Sequence, residues 1–153
     1  KLLVAMVEGQ GRLGRKNGKG FYDYPEKGQK SLWPGLREIA GKALDPDSLS
    51  VDRLKQRFLA VQAVEAARTV EEGIVTDPRE ADVGSILGFG FAPFTGGTLS
   101  YIDGMGVKAF VALCETLAAE HGPRFAPNAL LKDMAAKGES FYGRFAAARK
   151  SAD

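Results

Sequence analysis

Apolar positions in this chain recur at steps of three and four, and no segment sustains alternation of apolar and polar residues. The spacing predicts an all-α protein. Leu2, Leu3, Met6 and Val7 read as the last turns of a helix that halts at Gly9. From Gly9 to Gly20 five glycines fall within twelve residues, which predicts an irregular segment. The aromatic run Phe21-Tyr22-Asp23-Tyr24 is expected to pack that loop onto a core, and Gly28 to Ser31 reads as a polar linker. Pro34 suits the first position of a short helix carrying Leu36, Ile39, Ala40 and Leu44.

The longest pattern runs from Ser50, an N-cap residue, to Gly73, with Leu54, Phe58, Val61, Val64, Ala67 and Val70 expected as one apolar stripe. Asp77, Pro78 and Glu80 then predict a reciprocal capping box opening a helix that Gly88 ends, with Ala81, Val83, Ile86 and Leu87 on its inner face. The run GFGFAPFTGG, residues 88–97, is expected to be a compact connection burying its three phenylalanines. Helices follow from Thr98 through Ile102, from Val107 to His121 before Gly122-Pro123, and from Asn128 to Lys137. Phe141, Tyr142 and Phe145 are expected to anchor a tail that frays over 146–153.

Composition narrows the function classes. The 21 Lys and Arg nearly balance 19 Asp and Glu, too small an excess to argue for nucleic acid or an anionic membrane. No apolar run is long enough for a membrane span. Cys114, the only cysteine, allows neither an intramolecular disulfide nor a multi-cysteine metal site, which suits a cytoplasmic setting. The chain opens on Lys1 within an amphipathic run, so a fragment of a longer protein is expected.

Motifs that carry chemistry are sparse. Gly9, Gly11 and Gly14 spell the dinucleotide pattern G-x-G-x-x-G, but that chemistry needs a strand before it and a helix after it. Residues 14–19 approach a phosphate loop, with spacing one short and Gly20 where a metal-holding hydroxyl would stand. Cofactor and metal sites are therefore not expected here. The basic cluster Arg12, Arg15, Lys16 and Lys19 leaves one binding possibility, the phosphates of a large anion. His121 is explained by the negative end of its helix, and Cys114 by an apolar face. Glu65, on a largely apolar helix, is expected to pair with Arg68 or Thr69 rather than transfer protons. No catalytic residue is expected.

Two stretches carry a resemblance. GRLGRKNGKGFYDY, residues 11–24, resembles the closing motif of the C-terminal domain of 3-hydroxyacyl-CoA dehydrogenases. EEGIVTDPREADVGSILGFGFAPFTGGTLSYIDGMG, residues 71–106, resembles the central block of the second copy of that domain in multifunctional fatty-acid oxidation proteins, and FAPNALLKDMAAKGESFY extends the likeness. The resemblance implies that residues 1–28 end a first helical copy and that 29–153 form a second. It implies an architectural role: supporting dehydrogenase domains that precede Lys1, alongside an enoyl-CoA hydratase module in the same polypeptide. The family's NAD-binding domain and catalytic histidine and glutamate would lie outside this chain. A tyrosine that touches acyl-CoA in some members matches Leu87, making it the one candidate substrate contact. Without its neighbours the chain is expected to self-associate. A free-standing helical interaction module, binding an anionic ligand or a protein partner through the basic loop, is the alternative.

Overall fold

A computed structural model describes residues 1–41, 45 and 48–145. The chain separates into two compact units, Lys1–Leu49 and Ser50–Asp153.

The first unit is mostly irregular. Helix α1 (Leu2–Val4) widens into a π-type turn over Ala5–Gly9, which buries Met6 and leaves Leu3, Val4 and Val7 exposed. The glycine-rich stretch contains a 3-10 turn, Arg15–Asn17, closed by an antiparallel bridge between Gly14 and Lys19. Asn17 pins it by donating to the Gly11 carbonyl (2.7 Å) and accepting from Leu13 N–H (3.1 Å). Strands β1 (Tyr22–Asp23) and β2 (Ser31–Leu32) pair antiparallel, Tyr22 opposite Leu32 and Asp23 opposite Ser31. The polar stretch read as a linker at Gly28–Ser31 thus belongs to a hairpin connection, and the compact units part further on, between Leu49 and Ser50. Phe21 and Tyr22 are partly exposed rather than packed away. Helix α2 (Leu36–Ala40) starts after Gly35, so Pro34 stands in the preceding turn and not at the first helical position. Leu44 and the tail 146–153, read from sequence as helix and fraying end, lie outside the described residues.

The second unit is helical throughout its regular parts: α3 (Val51–Glu71), α4 (Pro78–Phe89), α5 (Thr98–Met105), α6 (Val107–His121), α7 (Ala129–Lys137) and α8 (Phe141–Arg144). Local chemistry sets the ends. Ser50 Oγ accepts from Arg53 N–H to open α3, and Gly73, at φ +70°, closes it while Ile74 N–H reaches back to the Thr69 carbonyl. Asn128 opens α7 by accepting from Leu131 N–H. The core joins Ala60, Ala63, Val64 and Ala67 of α3 to Leu99 and Ile102 of α5, Phe110, Cys114 and Leu117 of α6, Leu131 and Met134 of α7 and Phe141 of α8. The small residues of α3 leave room for α5, its densest neighbour across this core.

The expected single stripe on α3 splits in two. Its steps of three each turn about −60° around a helix of about 3.6 residues per turn, so the series winds from one side to the other. Val64, Ala67 and Val70 end inside, while Leu54 and Phe58 end outside, Phe58 at 68% exposure.

Candidate interaction surface on helix α4

Helix α4 is turned the opposite way from its pattern. Among its residues Pro78, Asp82 and Ser85 are buried, whereas Val83 and Leu87, expected inside, stand outside at 56% and 80% exposure. Ala81 and Ile86 are half-buried. The helix also runs past Gly88 to Phe89, closed by Gly90 at φ +75°.

The reason lies in the next helix. Helix α5 begins after Gly96-Gly97, with Gly97 at the cap position and no capping side chain of its own. Asp82 supplies the cap from outside: its carboxylate accepts from Leu99 N–H (2.7 Å), Ser100 N–H (3.1 Å) and Ser100 Oγ (2.5 Å). The hydroxyl of Tyr142 on α8 donates to the same group (2.8 Å). Ser85 adds its hydroxyl, which accepts from Thr98 N–H and donates to the Asp82 carbonyl. A carboxylate at 2% exposure with no cation paired to it among the described residues is tenable because these donors and the positive end of α5 satisfy it. Gly97, at φ +120°, is the close-approach point: a Cβ there would strike Asp82. The N-terminus of α5 is therefore already filled from within by a carboxylate.

Two more helices are capped across the fold. Asp103 of α5 accepts from Phe141 and Tyr142 N–H to open α8, and Glu71 of α3 accepts from Leu130 N–H at the start of α7. Asp77 opens α4 locally, but with Arg79 rather than Glu80. Its side chain accepts from Arg79 N–H and pairs with the Arg79 guanidinium, which holds the carboxyl down at about 2. Only a backbone bond joins Glu80 to Asp77, so the reciprocal box expected from sequence is not formed.

The connection after α4 buries Phe91 alone; Phe94 stands at 87% exposure and Phe89 is also exposed. Bulky phenylalanines bounded by glycines need not all point inward when the core has room for one. Between α3 and α4 a groove of about 400 Å³ runs over Ala66, Val75, Ala81 and Gly84, edged by Phe89 and by Glu65 and Glu80. Fully buried Thr98 borders it, its hydroxyl without a hydrogen-bond partner among the described residues.

Glu65 is exposed and ion-paired with Arg68 at 2.6 Å, so the pairing was legible but the burial was not. The carboxylate buried among the described residues is Asp82, which the sequence pattern did not single out. Cys114 is fully buried, and burial pushes its thiol up to about 12, which keeps it from forming a thiolate near neutral pH. His121 is the last residue of α6, with Glu120 at 3.6 Å and the Phe125 ring at 6.0 Å. Among the described residues no group of three or more His, Cys, Asp or Glu stands where it could hold a metal ion.

The basic loop is largely spent on its own structure. Arg12, at 7% exposure, donates to the Gly20 carbonyl (2.7 Å), pairs with Asp23 and lies 4.1 Å over the Trp33 ring. Arg15 sits 5.8 Å over Tyr24, and Lys16 and Lys19 remain exposed. Gly9 ends a π-type turn, and Gly11 and Gly14 lie between it and a three-residue 3-10 turn, without the flanking strand and helix of the dinucleotide pattern. None of the described helices is long and apolar enough to cross a membrane.

Helix α4 thus combines an outward apolar face with a buried polar anchor. No family model matches the chain. Over 139 residues, 86% of its length, it is 43% identical to the fatty acid oxidation complex subunit alpha of Shewanella amazonensis (strain ATCC BAA-1098 / SB2B). The chain belongs to the same family as that stretch of the alpha subunit, and it spans 19% of that protein's length.

Proposed function

We propose that this chain is the non-catalytic, C-terminal helical part of an NAD-dependent 3-hydroxyacyl-CoA dehydrogenase of the multifunctional type. Preceding domains of the same polypeptide hold NAD, supply the reacting groups and share the parent with an enoyl-CoA hydratase. The first segment ends one helical copy and the rest builds a second. The observation that carries this reading is the inversion of α4, which presents Val83 and Leu87 to solvent while Asp82 fixes the helix from behind. A face so held covers a neighbouring domain and helps wall its acyl-CoA site, with Leu87 as the apolar contact. Pre-positioning of that wall is the contribution to rate; the chemistry belongs elsewhere. The parent works in the cytoplasm.

The test compares the chain alone with the parent enzyme. The isolated chain yields no NADH from a 3-hydroxyacyl-CoA, and Leu87→Glu in the parent lowers kcat/KM about tenfold or more, as expected when a charge enters an apolar contact. Turnover by the chain alone, or an unchanged parent carrying Leu87→Glu, overturns the reading.

A further inference from the structure

Helix α3 carries a second apolar stripe that lies outside the core except at its end, where half-buried Val61 packs against it. Its inner stripe is made of Ala60, Ala63, Val64, Ala67 and Val70. The other is Val51, Leu54, Phe58 and Val61, spaced 3-4-3, the a/d pattern of a helix seam. Val51 and Phe58 are more than 60% exposed. Beside this stripe lies an open groove of about 480 Å³ with Leu54, Val61 and Phe125 as floor and Lys55, Arg57 and Arg124 as rim. In heptad terms Lys55 is an e position and Arg57 a g position, the places where seam-flanking charges choose a partner. Lys55 reaches only the exposed Asp52, at 3.8 Å. Arg57 and Arg124 have no ion-pair partner among the described residues, Arg124 lying over Phe125 instead.

We propose that this face of α3 docks an amphipathic helix of a separate partner protein, with apolar a/d residues on the stripe and Asp or Glu beside Lys55, Arg57 and Arg124. This goes beyond the role proposed for α4 and does not depend on it. Charge selects the occupant. A second copy of the same stripe would set Lys55 and Arg57 against their own like, which is destabilising. The first unit of this chain carries more Lys and Arg than Asp and Glu, so it is no complement either. An apolar floor with a hydrated, one-sign rim suits a partner that arrives by diffusion, because rim charge steers encounter and selects register.

The full chain is tested with a fluorescein-labelled, stapled two-heptad helix bearing Leu at a and d and Glu at e and g, and with its Lys counterpart. The acidic helix is expected to bind with salt-sensitive affinity, and the basic one not to bind. Phe58→Ser, and separately Lys55→Glu with Arg57→Glu, each weaken the acidic helix about tenfold or more. The charge-reversed variant gains binding of the basic helix, a result that misfolding cannot produce. The thiol introduced by Phe58→Cys reacts with a water-soluble maleimide in the native chain, buried Cys114 staying silent. Equal binding of both helices, no binding of the acidic one, failure of the charge swap, or an introduced thiol that reacts only in denaturant overturns the proposal.

Discussion

Helices α4 and α6 are both amphipathic, yet the fold treats them in opposite ways. Helix α6 puts Val107, Phe110, Cys114 and Leu117 inside and its charged residues outside. Helix α4 buries Asp82 and Ser85 and exposes Val83 and Leu87. The difference follows from what each helix is packed to satisfy. Against α6 lie apolar side chains of the core, so burial of apolar area decides its rotation. Against α4 lies the uncapped start of α5, whose amides need acceptors, and the carboxylate that meets them drags the polar face inward. An apolar helix face is therefore evidence of burial somewhere, and not necessarily within the unit that carries it.

That contrast can be broken experimentally. The largest effects are expected at the two inner faces: Asp82→Ala, which orphans the α5 amides and Tyr142, destabilises by about 3–5 kcal/mol, as does Phe110→Ala through its cavity. Thermal melts followed by circular dichroism compare them, and a nearly neutral Asp82→Ala would mean that α4 is not held by its polar side. Tyr142→Phe removes one bond to the same carboxylate and is expected to cost about 1 kcal/mol in urea titration. On the outer face Leu87→Glu shifts stability by less than about 0.5 kcal/mol. The same change lowers self-association of the isolated chain in sedimentation experiments; strong destabilisation would place Leu87 inside after all.

The smallest effect is a pH dependence at the start of α4. Folding lowers the Asp77 carboxyl from 3.8 to about 2, chiefly through its hydrogen bond with Arg79. The folded chain thus binds this proton more weakly than the unfolded one, so the pair stabilises above about pH 4 and loses that contribution as pH falls through about 2. Asp77→Asn keeps a cap but no charge. Its deficit against the unsubstituted chain is expected near neutral pH, shrinking as the solution is acidified and in high salt, and a deficit constant with pH would remove Asp77 ionisation as the cause.

Several helix ends were readable in the sequence because their causes are local. Ser50, Gly73, Asn128 and Gly122 act on amides or turns within a few residues, and the structure places helix boundaries at each. The kinship with a fatty acid oxidation subunit was readable too, since it rests on long continuous motifs. The inner faces of α6 and α7 were readable as well, but the direction α4 faces was not. Asp82 meets α5 from 17 residues away, Asp103 meets Phe141 from 38 and Glu71 meets Leu130 from 59. Arg12 shows the same in the first unit, a residue that looked like a free cation and is held by Gly20, Asp23 and Trp33. Periodicity fixes which residues share a face, but only the packed neighbours decide whether that face meets core, solvent or a partner, because burial is a property of what lies opposite and the chain's local order does not contain it.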